Sequence, residues 1–495
     1  MEAPRRAMTA PASPAPVALP ELLRLGAVPL ARMIRAREIS AVELMRACLG
    51  HVAAVNPVCN AIVSLRPEEE LMAEAEAADR AVAAGTAVGP LHGLPQAIKD
   101  LAATRGLRTT LGSPLYRDQV PQQDAIFVAR MRAAGAILIG KTNVPEFGYG
   151  SNTYNPVFGV TRNAYDPSRI AGGSSGGAAV ALALRMLPVA DGSDMGGSLR
   201  NPAAYNNVFG FRPSQGRVPA ENADPFYTQM STDGPMARSI ADLAMLLSVQ
   251  AGRDERVPLS LEDPGFRFED RLDFDPAGRR LAWLGDLGGH LPFEAGILEL
   301  CERACARFTA LGARVEAARP DFDPERLWRA WVVLRQHSIG GKQRGLIEDP
   351  ATRDLVKPEA RWEIEGSLRL SANDVYDAGV ARGAWYQALQ ALFHHHDFLL
   401  LPTAQVWPFD AGEHWPKAIA GRAMDSYHRW MEVVVGATMA GCPAISVPAG
   451  FSPEGLPMGL QIIGRPRDDL GVLRMAAAYE TLCPELTRLP PMIAG

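Results

Sequence analysis

The hydrophobic pattern divides the chain into a helical first part and a longer part in which helices and strands alternate. Between residues 20 and 85, apolar positions recur at the three- and four-residue spacing of amphipathic helices. In "SAVELMRACLGHVAAV", Ser40 precedes such a run and Glu43 follows three residues later, which predicts a capping box at the start of a helix. The first stretch, residues 1–19, is rich in Pro and Ala and predicts a disordered tail.

From residue 92 onward, short apolar runs alternate with helical patterns and glycine-rich loops. "DAIFVARMRAAG" predicts a helix that ends at Gly135 and leads into a strand "AILIG", and "GGAAVALALRM" predicts a helix before a buried strand "LPVAD". The alternation is less regular over residues 250–390, and strands return in "DFLLLPT", "PAISVPAG" and "MGLQIIG". This pattern is typical of an α/β protein with an internal sheet. Because no Ser- or Gly-rich linker interrupts it, we expect one large domain over residues 20–490.

Charge and composition narrow the partners that the protein can have. The 495 residues carry a formal net charge of −5, which gives no electrostatic reason to bind nucleic acid or an anionic membrane. No apolar run is long enough to span a bilayer, and the six cysteines follow no metal or disulfide pattern. We therefore expect a cytoplasmic monomer or homodimer that acts on a small molecule. Only five of the 50 basic residues are lysines, so each lysine is a candidate for chemistry.

Three motifs suggest functions that their surroundings argue against. "GAILIGKT", residues 135–142, has the letters of a phosphate-binding loop, but its variable positions are strand-forming residues. "GGSSG" has the letters of a nucleophile elbow, yet "YDPSRIA" before it is not the apolar strand that an elbow requires. "HHHD", residues 394–397, lacks a second ligand group at helical spacing, so a solvated helix end is favoured over a metal site. We expect no metal and no cofactor.

Three other segments carry a consistent chemistry: "HGLPQAIKD" (92–100), "AGGSSGG" (171–177) and "DGSDMGGSLRNP" (191–202). Ser198 stands behind two glycines as a candidate nucleophile, but no histidine lies between His92 and His290 to take its proton. Lys99 ends an apolar run, and burial there would favour the neutral amine, which can act as a base. A hydroxyl of "GGSSGG" would relay the proton, because a hydroxyl both donates and accepts hydrogen bonds.

These segments resemble the amidase signature family, which has a lysine after "GLP", a "GGSSGG" loop and a nucleophile in "D-x-GGS-x-R". Flanking text agrees as well: "GKTNVPEFGYGSNTYNPVFGVTRNAYDPSR" (140–169), "GPMARS" (234–239), "LLLPT" (399–403) and "GLPMGLQIIGRP" (455–466). The resemblance is strongest in a signature core of about residues 90–240, whereas the substrate-pocket region of about residues 220–430 is divergent. One departure is Ala171, where the family commonly has proline.

The resemblance implies a single α/β/α domain around a large mixed sheet and a Ser-Ser-Lys catalytic triad. In that triad Lys99 takes a proton from Ser174, and Ser174 takes one from Ser198, whose Oγ attacks the acyl carbon. Ser174 then returns the proton to the leaving nitrogen, and water releases the acyl group.

The resemblance also implies roles for residues around the triad. The oxyanion is held by the backbone N–H groups of Met195, Gly196, Gly197 and Ser198. Ser175, which hydrogen-bonds to Lys99 or its loop, and the pair of Asp194 and Arg200 give structural support. Gly148 and Tyr149 match positions that line the acyl pocket of fatty acid amide hydrolase, although a plain core role for Tyr149 is equally favoured.

The resemblance therefore favours a hydrolase of amide, anilide or carbamate bonds with esterase side activity. The alternative is the glutaminase subunit of a tRNA-dependent amidotransferase, which needs partner chains and a pocket for a charged amino acid. The stretches "PFYTQM" (225–230) and "RLWRAWVVL" (326–334) favour an apolar or aryl substrate instead. A binding protein without activity is disfavoured because all three triad positions are intact.

Overall fold

The elements follow the order that the hydrophobic pattern predicts. A computed structural model describes residues 16–222, 224–226 and 230–494. The helices are α1 (Glu21–Arg24), α2 (Ala27–Ala36), α3 (Ala41–Cys59), α4 (Glu68–Ala83), α5 (Ile126–Ala133), α6 (Gly176–Ala183), α7 (Arg200–Tyr205), α8 (Ile240–Gln250), α9 (Ile297–Ala310), α10 (Pro324–Gln343), α11 (Gly345–Glu348), α12 (Pro350–Arg353), α13 (Pro358–Ser367), α14 (Ala372–Phe393), α15 (Val435–Met439) and α16 (Asp469–Glu480).

The strands are β1 (Val17–Ala18), β2 (Ile62–Val63), β3 (Pro95–Lys99), β4 (Ile137–Thr142), β5 (Tyr154–Asn155), β6 (Gly159–Val160), β7 (Val189–Asp194), β8 (Phe209–Arg212), β9 (Thr232–Ala237), β10 (Arg280–Trp283), β11 (Arg314–Ala317), β12 (Phe398–Pro402), β13 (Ala418–Ile419), β14 (Arg422–Ala423), β15 (Ala444–Phe451), β16 (Pro457–Ile463) and β17 (Ile493–Ala494).

The largest sheet has eight strands in the order β11-β10-β12-β16-β15-β8-β9-β7. Strands β11, β10 and β12 are parallel, whereas each later pair in that order is antiparallel. Helices α9 and α16 pack on β15, and α8 packs on β9. This mixed α/β fold around one large sheet confirms the predicted fold class and the prediction of a single domain.

A smaller sheet, in the order β2-β4-β3, lies beside the large one and contacts it through β3 and β7. Its central strand, β4, includes most of the segment 135–142 that matches the phosphate-binding-loop motif. All six residues of β4 are buried. The prediction of a strand at that position is confirmed, because the run Ile137–Ile139 is stabilised as a paired, buried strand rather than as a loop.

The helical first part agrees with the prediction at its capping box but differs in the residues just before α1. The capping box is confirmed: Ser40 Oγ accepts from the Glu43 N–H at 3.0 Å, and Glu43 accepts from the Ser40 N–H at 2.8 Å. Of the predicted tail, residues 1–15 lie outside the described residues. The prediction of disorder is wrong for the last residues of that tail, because Val17 donates its N–H to the Met492 carbonyl at 2.9 Å and β1 pairs with β17.

Two further predictions concern membranes and the histidine run. No helix in the described ranges is long and apolar enough to cross a membrane. His394 and His395 are exposed beyond α14, as predicted for a solvated helix end. His396 differs, because it is 8% exposed and its Nε2 lies 3.0 Å from Glu316. Within residues 16–222, 224–226 and 230–494, no group of three potential metal-ligating side chains is brought together.

Candidate active site

Lys99 is the last residue of β3, where the small sheet meets β7. Its side chain is 1% exposed, and its Nζ donates to Ser174 Oγ and Ser175 Oγ, both at 2.8 Å. A third hydroxyl, Ser193 Oγ on β7, lies 3.0 Å from the same nitrogen. The backbone N–H of Lys99 donates to the Asp191 carboxylate at 3.1 Å, which ties the end of β3 to β7. The amine is thus surrounded by hydroxyl groups in a buried position.

The glycine-rich loop brings Ser174 and Ser198 to the same place. Ser174 follows a cis peptide bond after Gly173 and is 2% exposed. The next residue, Ser175, donates its backbone N–H to the Ser198 carbonyl at 3.2 Å and precedes α6. Ser198 lies in the turn between β7 and α7 and is 9% exposed. The glycine-rich loop and the turn that carries Ser198 therefore lie side by side next to the Lys99 amine, although Ser174 and Ser198 are 24 positions apart in the sequence.

A buried carboxylate holds the turn that carries Ser198. Asp194, at the end of β7, accepts from the N–H groups of Gly197 and Leu199 at 3.0 and 3.2 Å. The guanidinium of Arg200 contacts both oxygens of Asp194 at 3.0 Å. Burial alone would raise the pKa of Asp194, but Arg200 and a second guanidinium, that of Arg212, hold it well below its usual range. Asp194 stays ionised, so the turn is fixed by charge-assisted hydrogen bonds.

The amides of this turn divide into two groups. The Gly197 N–H, one of the four implied oxyanion donors, already donates to Asp194. Among the described residues, no acceptor is hydrogen-bonded to the backbone N–H of Met195, Gly196 or Ser198. Gly197 adopts a φ of +85°, and a Cβ there would come within 2.2 Å of Asn201 Oδ1. A side chain at position 197 would therefore disrupt the turn.

Gly148 and Tyr149 border the glycine-rich loop. A Cβ added to Gly148, whose φ is +76°, would lie 3.4 Å from Ser174 Oγ and 2.7 Å from Leu101. The Tyr149 ring is 9% exposed, and its hydroxyl donates to Gln343 at 2.7 Å. The Arg335 guanidinium lies over this ring, 5.5 Å from its centroid. Gly148 thus adjoins a candidate catalytic hydroxyl, while Tyr149 belongs to the wall formed with α10.

Burial dominates the electrostatics of Lys99. It lowers the pKa of Lys99 to about 7, against the opposing effects of Asp233, Asp191 and Asp194, of which that of Asp233 is the largest. Burial also raises the pKa of Asp233 to about 7 and that of Asp191 to about 6. A large share of the Lys99 side chains is therefore neutral near pH 7 and able to accept a proton.

Two adjoining cavities, of about 370 and 270 Å³, reach the site. The larger is lined by Lys99, Asp191 and Asp233, and the smaller by Met195 together with Ser338 and Lys342 of α10. Both include Ser193 and Leu101, so open space passes along one side of the lysine.

Helix α10 supplies a wall beside the turn of Ser198. A Cβ at Gly196 would lie 3.3 Å from the Trp331 ring and 3.4 Å from the Met431 methyl group. One turn later, Arg335 donates to the Met195 sulfur at 3.1 Å and forms a buried ion pair with Glu363. Of the two stretches expected to favour apolar substrates, 326–334 is therefore close to the site. In 225–230, positions 227–229 lie outside the described residues, Phe226 is exposed and Met230 is buried.

Several residues of the site were missed by sequence reasoning. Ser193 and Asp191 were missed because the strand was expected to end at Asp191, whereas β7 continues to Asp194. Period-two alternation along this longer strand would have placed both residues on one face. Asp233 pairs with Ser193 across β7 and β9, and the sequence carries no local signal for that pairing. Arg212 reaches the site only through tertiary packing, and no local signal marks it.

The comparisons with known proteins agree with this architecture. A family model described as Amidase matches residues 43–473. An acylamidase of Rhodococcus erythropolis is 35% identical over 475 residues, which cover 94% of this chain and 97% of the relative. A glutamyl-tRNA(Gln) amidotransferase subunit of Thermus thermophilus is 37% identical over 477 residues, covering 91% and 96%. The structure of a bacterial aryl acylamidase of the amidase signature family superposes with a TM-score of 0.89 at 29% identity, covering 95% of this chain and 99% of that one.

The mixed α/β fold and these relatives define a hydrolase that acts on carbon–nitrogen bonds. The chain belongs to the Amidase family, also known as the amidase signature family.

Proposed function

We propose that the protein hydrolyses amide-type bonds of small apolar or aryl substrates through Lys99, Ser174 and Ser198. The observation that carries the proposal is the Lys99 amine, buried and 2.8 Å from the Ser174 hydroxyl. Its lowered pKa supplies a neutral base at physiological pH without a histidine.

The reaction starts with two proton transfers. Lys99 Nζ accepts the Ser174 proton as Ser174 Oγ accepts that of Ser198, and Ser198 Oγ bonds to the acyl carbon. The carbonyl electron pair moves to the oxygen, which the N–H groups of Met195, Gly196 and Ser198 stabilise as an oxyanion. When the C–N bond breaks, Ser174 donates its proton to the leaving nitrogen and Lys99 returns its proton to Ser174. Water attacks the acyl-enzyme by the same relay and regenerates the Ser198 hydroxyl.

Three supporting groups keep this relay aligned. Ser175 Oγ, 2.8 Å from Lys99 Nζ, and Ser193 Oγ, 3.0 Å away, fix the direction of the amine. The Asp194–Arg200 pair, with one contact at 3.0 Å, holds the turn that carries the remaining N–H groups. Fixed donors of this kind need no reorganisation during the reaction.

An apolar acyl group fits the wall next to the turn. Trp331 and Met431 are the side chains nearest to Gly196 and present aromatic and thioether surface. Arg335, a charged group in this wall, is paired with the Glu363 carboxylate and also donates to the Tyr427 hydroxyl. The relative named acylamidase and the aryl acylamidase structure support a substrate of this class.

A glutaminase subunit of an amidotransferase is the second candidate, supported by the 37% identity to the glutamyl-tRNA(Gln) amidotransferase chain. The two functions are separated by assaying the purified chain, without cofactors or partner proteins, on aryl anilides, primary amides, carbamates, p-nitrophenyl esters and glutamine. We expect turnover of anilides or carbamates and of esters by the chain alone. Glutamine hydrolysis that requires added partner proteins would favour the second candidate and overturn the first.

Trp331→Ala is expected to lower kcat/KM for an anilide with an aromatic acyl group about 10- to 100-fold relative to that for acetanilide, which has the same leaving group, because the loss of apolar contact affects the larger acyl group more. Because Trp331 is fully buried, its replacement can also lower the amount of folded enzyme. The ratio of kcat/KM for the two substrates is therefore measured, since that ratio does not depend on the amount of folded enzyme. Trp331→Phe, which keeps an aromatic ring, is the control and should retain most of the discrimination. An unchanged ratio in Trp331→Ala would exclude this wall from the acyl pocket.

Asp233→Asn is expected to shift the acidic limb of the kcat/KM profile to lower pH. The Asp233 carboxylate raises the pKa of Lys99, so removing its charge lowers that pKa and leaves the amine neutral at lower pH. The measurement is a pH–rate profile with an amide substrate. Glu221→Gln serves as the control, since Glu221 lines the same cavity but pairs with Arg256 at 3.3 Å. A shift of equal size in both variants would contradict the specific effect of Asp233.

A further inference from the structure

A separate cavity of about 380 Å³ lies between the first helices, α8 and the carboxyl-terminal segment. Its lining includes the charged and polar residues Arg24, Arg185, Arg238, Arg488, Asn207 and Asp242. None of them belongs to the site around Lys99. The chain as a whole carries a net charge of −5, whereas the four arginines make the lining of this cavity locally positive.

Asp242 opposes the lowering of the Arg238 pKa but forms no ion pair with any of these arginines. Its Oδ1 accepts the Val28 N–H at 2.7 Å, where it caps the start of α2. Within the described part of the chain, none of the four arginines forms an ion pair within 4.0 Å. Burial lowers the pKa of Arg238 to about 9, and the positive charge of Arg185 contributes to that decrease. Two guanidinium groups therefore repel each other with no carboxylate bridging them.

Arg185 is the most unusual member of this group. It has a φ of +63°, in the left-handed region that residues with a side chain rarely adopt. Its Nε is buried, and no group in the described residues accepts a hydrogen bond from it. A buried donor without a partner is destabilising, because it has lost its hydrogen bonds to water. An arginine at this position is therefore unfavourable both for its backbone and for its side chain.

Asn207 presents a matching unsatisfied acceptor. It is 6% exposed, and its Nδ2 donates to the Tyr165 hydroxyl at 3.1 Å and the Glu485 carbonyl at 2.7 Å. Its Oδ1 is buried and has no donor among the residues described. Ordered water would satisfy this amide oxygen but would leave the guanidinium charges uncompensated.

We propose that this cavity binds a small molecule that bears a phosphate or carboxylate group. The anion is held by the guanidinium group of Arg185, while two further arginines contribute positive charge: Arg488, whose guanidinium stacks on Phe451 at 4.0 Å from the ring centroid, and Arg238, which is anchored to two backbone carbonyls. A hydroxyl on the ligand, or on a singly protonated phosphate, donates to Asn207 Oδ1. The volume exceeds that of a bare anion, so the ligand carries additional atoms. This site is independent of the proposed amide hydrolysis.

The test compares thermal unfolding of the full chain in sodium phosphate, sodium citrate and sodium chloride at equal ionic strength and pH. A ligand that binds only the folded state raises Tm in a concentration-dependent way. We expect phosphate or citrate to raise Tm above its value in chloride for the wild type, and which of the two acts distinguishes a phosphate from a carboxylate ligand.

Arg185→Gly is the informative variant, because glycine adopts the +63° conformation without strain and the chain should fold. We expect it to lose most of the anion-specific Tm increment. Arg80→Ala removes an equally positive but exposed side chain on α4 and should keep the increment. An equal increment in all three proteins, or none in the wild type, would overturn the proposal. Because the readout is Tm, failure of the amidase assignment would not affect this result.

Discussion

Ser198→Ala is expected to lower kcat for amide hydrolysis by about 10⁴-fold or more. The variant keeps the oxyanion donors and the Asp194–Arg200 pair but removes the atom that bonds to the acyl carbon. Because the acyl-enzyme cannot form, the loss should appear in kcat as well as in kcat/KM. Steady-state kinetics on an anilide and on a matched ester measure it.

Covalent labelling identifies the same atom independently. A fluorophosphonate should add to Ser198, and peptide mapping should recover the label in the segment 191–202. Ser446→Ala is the matched control, since Ser446 is a fully buried serine whose Oγ hydrogen-bonds Thr403 Oγ1 at 3.1 Å. It should retain labelling and activity. Recovery of the label only on Ser174 or Ser175 would contradict the assignment and favour a nucleophile in the glycine-rich loop.

Local features of the fold could be predicted from the sequence because the atoms that decide them are close along the chain. The capping box at Ser40 and Glu43 spans three residues, and β4 is fixed by its own apolar run. The first strand, β1, could not be predicted in this way. Val17 is held by the carbonyl of Met492, a contact between opposite ends of the sequence.

The same distinction applies to the candidate site. Lys99, Ser174 and Ser198 belong to motifs that can be found by spacing and family resemblance. The groups that shift the pKa of Lys99 cannot be found in this way, because Asp233 reaches the site only when β9 pairs with β7. Arg212 and Trp331 likewise arrive on β8 and α10 through packing of the whole domain. Sequence reasoning therefore indicates the candidate reacting groups, whereas the structure gives their environment.

Replacement of Lys99 is expected to remove both the base and the pH dependence that it gives. In the wild type, kcat/KM should rise with pH through the Lys99 pKa of about 7 and then stay level, since only the neutral amine accepts the proton. A histidine base would give a rise near 6.5, so the limb alone does not identify the base. Lys99→Met keeps the apolar stem without the amine and should lower amide turnover about 10³-fold. Esters should lose less, because an alkoxide or phenoxide leaves with less need of a proton than an amine does.

Lys141→Met is the control for this prediction. Lys141 is also fully buried and has a pKa lowered by burial to about 8, but its amine donates to the Ala102 carbonyl at 2.7 Å and to Thr104 Oγ1 at 2.8 Å. Removing the Lys141 amine removes a buried amine that does not contact the serines of the site, so the acidic limb of the kcat/KM profile should remain. Profiles for an amide and a matched ester are measured on all three proteins. If Lys99→Met kept the wild-type limb on the amide, or if Lys141→Met abolished it, Lys99 would not be the base, and the relay through Ser174 would have to be abandoned.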